Sequence, residues 1–124
     1  MRALIVDDSK AMRMILRRAL SQCGYDDFVE AGNGREALRA LVNEAMPDTA
    51  FVDWNMPEMN GIEFVRAVRK NATFASMPIV MVTSETSFET IQEAMEAGAD
   101  EYVMKPFTPE VLGEKLALVR ATRG

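Results

Sequence analysis

The stretch ALIVDDS, residues 3–9, sets a pattern that the rest of the chain repeats. Its four consecutive apolar residues predict a β-strand that is buried on both faces. Two carboxylates, Asp7 and Asp8, follow at once, and Ser9 is a suitable N-cap for a helix. Apolar residues then recur at helical spacing from Met12 to Cys23, which predicts an amphipathic helix. A strand followed directly by a helix is the unit from which α/β folds are built.

The same unit recurs four more times along the chain. Short apolar runs predict strands at residues 28–31, 49–53, 78–83 and 101–105, and a segment of helical spacing follows each of them. Strands that alternate with helices this regularly imply a parallel sheet with helices on both faces, joined by right-handed crossovers. We therefore predict a single α/β domain, a doubly wound parallel sheet of five strands with five helices.

Composition agrees with one globular domain and argues against several classes of function. The chain has 124 residues, of which 48% are hydrophobic and 27% are charged. A net charge of −5 argues against binding to nucleic acid or to anionic membrane. The absence of histidine excludes His-based triads, and the single cysteine excludes an intrachain disulfide. Because no signal-type start or membrane-length apolar run is present, we expect a cytoplasmic location. We also expect a monomer.

Polar residues collect where the predicted strands end. The carboxyl ends of parallel strands lie at one edge of the sheet, where open α/β folds place their binding crevice. The residues at or just after these ends are Asp7, Asp8, Asp53, Thr83 and Lys105. Capping of the following helix is the alternative explanation for any one of them. It accounts for Asp8, but a turn-rich segment separates Asp53 from the next helix, and capping does not explain why three acids converge.

Three carboxylates in one crevice favour a divalent cation. Two carboxylates about 4 Å apart repel by roughly 4 kcal/mol at an effective dielectric near 20. Magnesium takes oxygen ligands and commonly uses one or two carboxylates together with a phosphate oxygen. The sequence therefore predicts a Mg²⁺ site that handles a phosphoryl group. We expect Asp53 to be the nucleophile, because it can face Lys105 across the central strands and carboxylates form aspartyl-phosphate intermediates.

These residues, in this order and spacing, resemble a known family. Asp7-Asp8, Asp53, Thr83 and Lys105-Pro106 are similar to the motifs of the receiver domain of two-component response regulators. The run from Asp53 to Gly61, DWNMPEMNG, resembles the chemotaxis members in particular. The resemblance covers residues 1–124 and implies a flavodoxin-like fold with strand order 2-1-3-4-5. It also implies a stand-alone receiver with no effector domain, which signals by protein–protein contact.

The resemblance further implies a role for each site residue. Asp53 accepts a phosphoryl group from a phosphohistidine on a kinase, while Thr83 and Lys105 contact the phosphoryl oxygens. Asp8, Asp53 and the backbone carbonyl of Asn55 ligate Mg²⁺, and Asp7 acts mainly through water. The Lys105–Pro106 peptide bond is expected to be cis.

Two further implications concern the output of the domain. Thr83 and Tyr102 form a switch, in which the hydroxyl moves to the phosphoryl group and the ring turns inward. Asn55 and Glu85 influence how fast water hydrolyses the acyl phosphate. The domain is not an enzyme in the usual sense, because it catalyses only its own phosphorylation and dephosphorylation.

Partners and alternative functions follow from the same comparison. The expected partners are a histidine kinase of the chemotaxis type and, as further candidates, the flagellar motor switch protein or a phosphatase. The region of the fourth helix is acidic, with Glu85, Glu89, Glu93 and Glu96, whereas enteric chemotaxis regulators carry lysines there. This difference keeps open a phosphorelay intermediate that is not tied to flagella. An aspartyl-nucleophile phosphatase and a flavin binder are alternatives of other classes, but adjacent acids after the first strand suit neither.

Overall fold

The computed structural model describes residues 1–84 and 87–123 and shows five strands that alternate with five helices. The strands are β1 Arg2–Val6, β2 Asp27–Ala31, β3 Thr49–Asp53, β4 Ile79–Thr83 and β5 Glu101–Met104. The helices are α1 Lys10–Ser21, α2 Gly34–Asn43, α3 Gly61–Lys70, α4 Phe88–Ala97 and α5 Pro109–Arg123. Glu85, Thr86 and Gly124 lie outside the described residues, and so does the side chain of Arg123.

The strands form one parallel sheet in the order β2-β1-β3-β4-β5, which confirms the predicted fold class. Alternate residues of β1 face opposite layers, as a pleated strand requires. Leu4 and Val6 belong to the hydrophobic cluster that includes α2, α3 and α4. Ala3 and Ile5 belong to the cluster that includes α1 and α5. Helices therefore cover both faces of the sheet, and its carboxyl edge stays open to solvent.

Side chains at the helix starts fix where each helix begins. Ser9, Asn33, Asn60 and Ser87 are the N-caps of α1 to α4, and each accepts a hydrogen bond from a backbone N–H in the first turn. At α3 the cap is reciprocal, because the Glu63 carboxylate also accepts from the backbone N–H of Asn60. Each cap therefore fixes the residue at which a loop from the carboxyl edge of the sheet ends and the next helix begins.

Gly61 brings the first turn of α3 against the end of β3. A Cβ at this position would lie 2.3 Å from the backbone oxygen of Asp53 and 2.9 Å from Cε of Met81. The Gly61 N–H also donates to the Trp54 carbonyl at 2.9 Å, which closes the segment between β3 and α3 into a loop. The position of Asp53 at the open edge therefore depends on a residue without a side chain at position 61.

None of the described helices is long and apolar enough to cross a membrane.

We expect Gly61→Ala to lower the free energy of unfolding by about 2 kcal/mol, because the added methyl group overlaps backbone atoms that cannot move aside. Gly113→Ala is the matched control, since a Cβ at this position in α5 would meet nothing within 4 Å. The control should raise the free energy of unfolding by roughly 0.5–1 kcal/mol through helix propensity. Urea unfolding of both variants checks the pair, and equal effects of the two substitutions would contradict the close approach at Gly61.

Candidate functional site

The structure brings three carboxylates together at the carboxyl edge of the sheet. β1 pairs with β3 in a register that places Val6 opposite Val52, so Asp7 and Asp53 follow side by side. Carboxylate oxygens of Asp7, Asp8 and Asp53 all lie within 4.8 Å of one another. The residues differ in exposure: Asp7 is buried, Asp53 is half-buried and Asp8 is exposed. β1 has β2 on one side and β3 on the other, so the group lies where the strand order reverses, the usual place for a crevice in such sheets.

Lys105 lies between two of these carboxylates. Its Nζ donates to Oδ2 of Asp7 and to Oδ1 of Asp53, both at 3.2 Å. Its backbone N–H donates to the Thr83 carbonyl at 2.8 Å, which attaches the residue to the end of β4. The peptide bond between Lys105 and Pro106 is cis. The lysine side chain thus reaches the acidic group from the far side of β3.

One ammonium group does not compensate the carboxylates of Asp7 and Asp53. Burial, and then the negative charge of Asp7, raise the pKa of Asp53 above its ordinary value, although Lys105 offsets part of this effect. Burial alone would lower the pKa of Lys105, but the charges of Asp53 and Asp7 outweigh it, so this pKa is also raised. The Asp53 pKa is thus raised mainly by burial and then by Asp7, while the Lys105 pKa is raised by the two carboxylates that the ammonium contacts.

Asp7 is held more firmly than the other two acids. Its Oδ1 accepts from the Ser9 N–H at 2.8 Å and its Oδ2 accepts from Lys105, so both carboxylate oxygens already have a partner. Its backbone carbonyl also accepts from the Arg13 guanidinium, whose Nε donates to Glu30 at 3.0 Å. Sequence reasoning missed Arg13, because the spacing of charges on α1 does not show which arginine folds back over β1.

Thr83 and Tyr102 lie on neighbouring strands. Thr83 is the last residue of β4, and it is buried. Tyr102 pairs in register with Met81, one position on from the start of β5, and its ring is half-buried. The Lys115 ammonium lies 4.7 Å from the centre of the Tyr102 ring and 3.3 Å from Oε1 of Glu101.

Of the two residues predicted to affect hydrolysis, the structure describes Asn55 but not Glu85. Asn55 lies two residues after Asp53 in the loop that follows β3, and it is exposed. Glu85 lies outside the described residues, so its role stays a prediction. The structure therefore groups Asp7, Asp8, Asp53 and Lys105 by direct geometry and places Thr83, Tyr102 and Asn55 on the adjoining strands and loop.

The donor set suits the Mg²⁺ ion predicted from the sequence. All of its ligand atoms are carboxylate oxygens, and magnesium prefers oxygen ligands, whereas zinc prefers the nitrogen and sulfur of His and Cys. Burial and the neighbouring Asp7 charge raise the pKa of Asp53, and a bound cation would offset both effects. Asp8, being exposed, and Asp53 are the acids best placed to ligate it, while Asp7 has both oxygens engaged.

Comparisons with known proteins agree with this geometry. Residues 3–117 match the family model described as the response regulator receiver domain. The chain is 45% identical over 122 residues to chemotaxis protein CheY1 of Helicobacter pylori, and the alignment covers 98% of each chain. It is 42% identical over 116 residues to chemotaxis protein CheY of Pseudomonas aeruginosa, covering 94% of this chain and 93% of that one. The structure of chemotaxis response regulator CheY4 of Vibrio cholerae superposes with a TM-score of 0.84 at 42% identity, covering 95% of this chain and 97% of that one.

We expect Asp53→Asn to raise the free energy of unfolding in the presence of a chelator by about 1 kcal/mol. The substitution removes a carboxylate for which the cost of burial, together with repulsion from Asp7, exceeds the gain from its ion pair with Lys105. Thermal unfolding in EDTA measures the change.

Asp100→Asn is the control of opposite sign. The Asp100 carboxylate accepts from the Arg69 guanidinium at 3.0 Å and from the Ile79 N–H at 2.7 Å, so this substitution should lower stability. A lower melting temperature for Asp53→Asn in EDTA would contradict the account of the acidic group.

Proposed function

The chain belongs to the response regulator receiver domain family, and we propose that it is a signalling switch that accepts a phosphoryl group on Asp53. Members of this family act as signalling proteins rather than as enzymes in the usual sense. The sequence resemblance to chemotaxis regulators is confirmed by the relatives and structures to which the chain is similar. The observation that carries the proposal is the position of Asp53, half-buried beside Asp7 and hydrogen-bonded to Lys105 at the carboxyl edge of the sheet.

The chemistry that this arrangement supports is phosphoryl transfer to a carboxylate. An oxygen of Asp53 attacks the phosphorus of a phosphohistidine, the new O–P bond replaces the P–N bond, and the imidazole leaves with the electron pair and takes up a proton. Lys105 can turn from the two carboxylates to the phosphoryl oxygens, because its Nζ is already at the pocket. A Mg²⁺ ion held by Asp8, Asp53 and the Asn55 carbonyl would neutralise charge on the transferring group. Hydrolysis by water would return the carboxylate, with Asn55 and Glu85 affecting its rate.

Phosphorylation would change the balance of charge at the end of β4. The new group carries about −1.5 to −2 charge and accepts several hydrogen bonds. We assign Thr83 as the donor that moves toward it and Tyr102 as the ring that turns inward, since Thr83 is buried at the end of β4 and Tyr102 is half-buried on the neighbouring strand β5. A partner that contacts the Tyr102 face would then distinguish the two states.

The proposed partner upstream is a histidine kinase of the chemotaxis type. Downstream, the flagellar motor switch protein is the first candidate because the relatives are named chemotaxis proteins. A phosphatase is a further candidate partner. We propose a cytoplasmic, monomeric receiver.

A second candidate function is a phosphorelay intermediate, and one observation favours it. Glu89, Glu93 and Glu96 are all exposed on α4, which has no basic residue, so this helix presents negative charge. Charge of this sign repels an acidic partner segment and selects a basic one. The output partner therefore distinguishes the two candidates, while the phosphoacceptor chemistry is common to both.

We expect acetyl phosphate with Mg²⁺ to place one acid-stable, base-labile phosphoryl group on the protein, detected by intact mass. Asp53→Asn should abolish the added mass, because it removes the nucleophile. Asp48→Asn is the matched control, because Asp48 lies at the opposite edge of the sheet, where it accepts from the Arg2 N–H. A full yield on Asp53→Asn would overturn the proposed function.

Binding to purified partners separates the two candidates. For a chemotaxis regulator, phosphorylation should tighten binding to the flagellar motor switch protein at least several-fold. For a relay intermediate, this binding should be absent and the phosphoryl group should pass on to a second histidine-containing domain. Fluorescence anisotropy and phosphotransfer gels measure the two outcomes.

A further inference from the structure

The loop between β3 and α3 contains an unusual backbone conformation at Glu58. Its φ is +63°, and among the described residues it is the one non-glycine residue with a positive φ. The Met59 N–H donates to the Pro57 carbonyl at 2.7 Å, so Glu58 is the central residue of a γ-turn. With positive φ such turns are rare and strained, and they persist only where other contacts hold them.

The contacts that hold Glu58 come from the start of α2. Asn33, the N-cap of that helix, is buried, and its Nδ2 donates to Oε2 of Glu58 at 2.9 Å. The same amide accepts at Oδ1 from the Glu36 N–H at 2.9 Å, so one side chain caps α2 and holds the loop at once. The negative charge of Glu58 beside the first turn of α2 is also favourable to the helix dipole.

A second pair of residues makes the same connection through the backbone. The Gly34 N–H donates to the Met59 carbonyl at 3.2 Å. A Cβ at Gly34 would lie 2.6 Å from Cγ of Met59, so the methionine lies directly on the glycine. The first turn of α2 therefore holds two consecutive loop residues, Glu58 and Met59.

The other end of this loop is fixed to the sheet. The Gly61 N–H donates to the Trp54 carbonyl, and the loop between them begins directly after Asp53. Asn55, whose carbonyl is a proposed cation ligand, lies inside this closed segment. Its position relative to Asp53 therefore depends on contacts made at residues 58 and 59.

We propose that Asn33 and Glu58 are positioning residues for the cation site, and that their hydrogen bond holds the loop that carries the Asn55 carbonyl. This inference rests on the proposed function, since it concerns the same pocket. Neither residue was identified from the sequence. Asn33 and Glu58 are 25 positions apart, and glutamate is not a residue that sequence patterns associate with positive φ.

The test uses Asn33→Asp, which is nearly isosteric and equally good as an N-cap. The new carboxylate would face the Glu58 carboxylate and break the contact between α2 and the loop. We expect Mg²⁺ binding, measured by emission of the single tryptophan, Trp54, to weaken by roughly three- to tenfold. If the added negative charge acted only by attracting the cation, without moving the loop, Asn33→Asp would bind Mg²⁺ more tightly. Weaker binding therefore distinguishes repositioning of the loop from a direct effect of charge.

The double variant Asn33→Asp with Glu58→Gln supplies the rescue. The amide introduced at position 58 can donate to the carboxylate introduced at position 33, which restores the hydrogen bond with donor and acceptor exchanged and keeps the net charge at −5. Its affinity should return to within about twofold of the unsubstituted protein. Glu36→Gln is the control, because Oε2 of Glu36 accepts from the same Asn33 amide at 3.3 Å but lies on the helix and not on the loop. This variant should bind Mg²⁺ with unchanged affinity.

A measurement without metal tests the same contact. In EDTA, the Gly34 amide should exchange its hydrogen faster in Asn33→Asp and recover in the double variant. The Ala37 amide, which donates to the Asn33 carbonyl, is the internal reference and should not change. Glu58→Gly adds a variant that relieves the positive φ, so it should fold at least as well yet bind Mg²⁺ more weakly.

The outcomes separate the inference from the proposed function. Unchanged or tighter Mg²⁺ binding in Asn33→Asp or Glu58→Gly, beside normal binding in the unsubstituted protein, overturns the positioning role and leaves the phosphoacceptor intact. No Mg²⁺ binding by the unsubstituted protein overturns the proposed function and this inference together.

Discussion

The pairing of β1 with β3 forces Asp7 and Asp53 to share one lysine, and the rest of the site depends on this constraint. The register is set by apolar residues that are buried on both faces, so neither carboxylate can move away without disturbing the core. Lys105 contacts both acids at the same distance, and the pKa of Asp53 is nevertheless raised, first by burial and then by Asp7. Uncompensated negative charge of this kind is destabilising, and that cost is what makes a cation favourable in the pocket.

Such a pocket needs a rigid frame, because repulsion between like charges would otherwise push the acids apart. The frame comes from backbone contacts near the strand ends. The Ser9 N–H holds one oxygen of Asp7, and Gly61 lets α3 approach the Asp53 carbonyl more closely than any other residue type would allow. Asn33 and Glu58 extend the same frame to the loop after β3. The acidic residues of the pocket are few, and those that hold them lie on α1, α2 and α3 and in the loops beside them.

Most of the fold and the centre of the site could be predicted from the sequence because both depend on local patterns. Apolar runs predicted the strands. The polar residues at the ends of these strands were the predicted site residues: Asp7, Asp8, Asp53, Thr83 and Lys105. A local pattern was less accurate at the start of α4. A hydroxyl three residues before a glutamate, as in Thr86 and Glu89, predicts a capping box, but the N-cap is Ser87, whose hydroxyl donates to Glu89. Strand order came from the family resemblance, since no local signal encodes it. Arg13, Asn33 and Glu58 were not found at all, because their roles arise from contacts between segments distant in the chain.

The proposed phosphoacceptor pocket and the proposed output surface around Tyr102 differ in how strongly the fold constrains them. The acidic pocket is built from strand ends, which the core fixes, so its chemistry tolerates little variation. The side chains shown beside Tyr102 belong to β5 and α5. Lys115 lies over the Tyr102 ring and pairs with Glu101, while α4 carries its own exposed acids. The Lys115 ammonium and the Tyr102 ring attract each other through a cation–π interaction, and an inward turn of the ring would lose this attraction. The charge over the ring therefore bears on the proposed switch, and the acids of α4 bear on the proposed choice of partner.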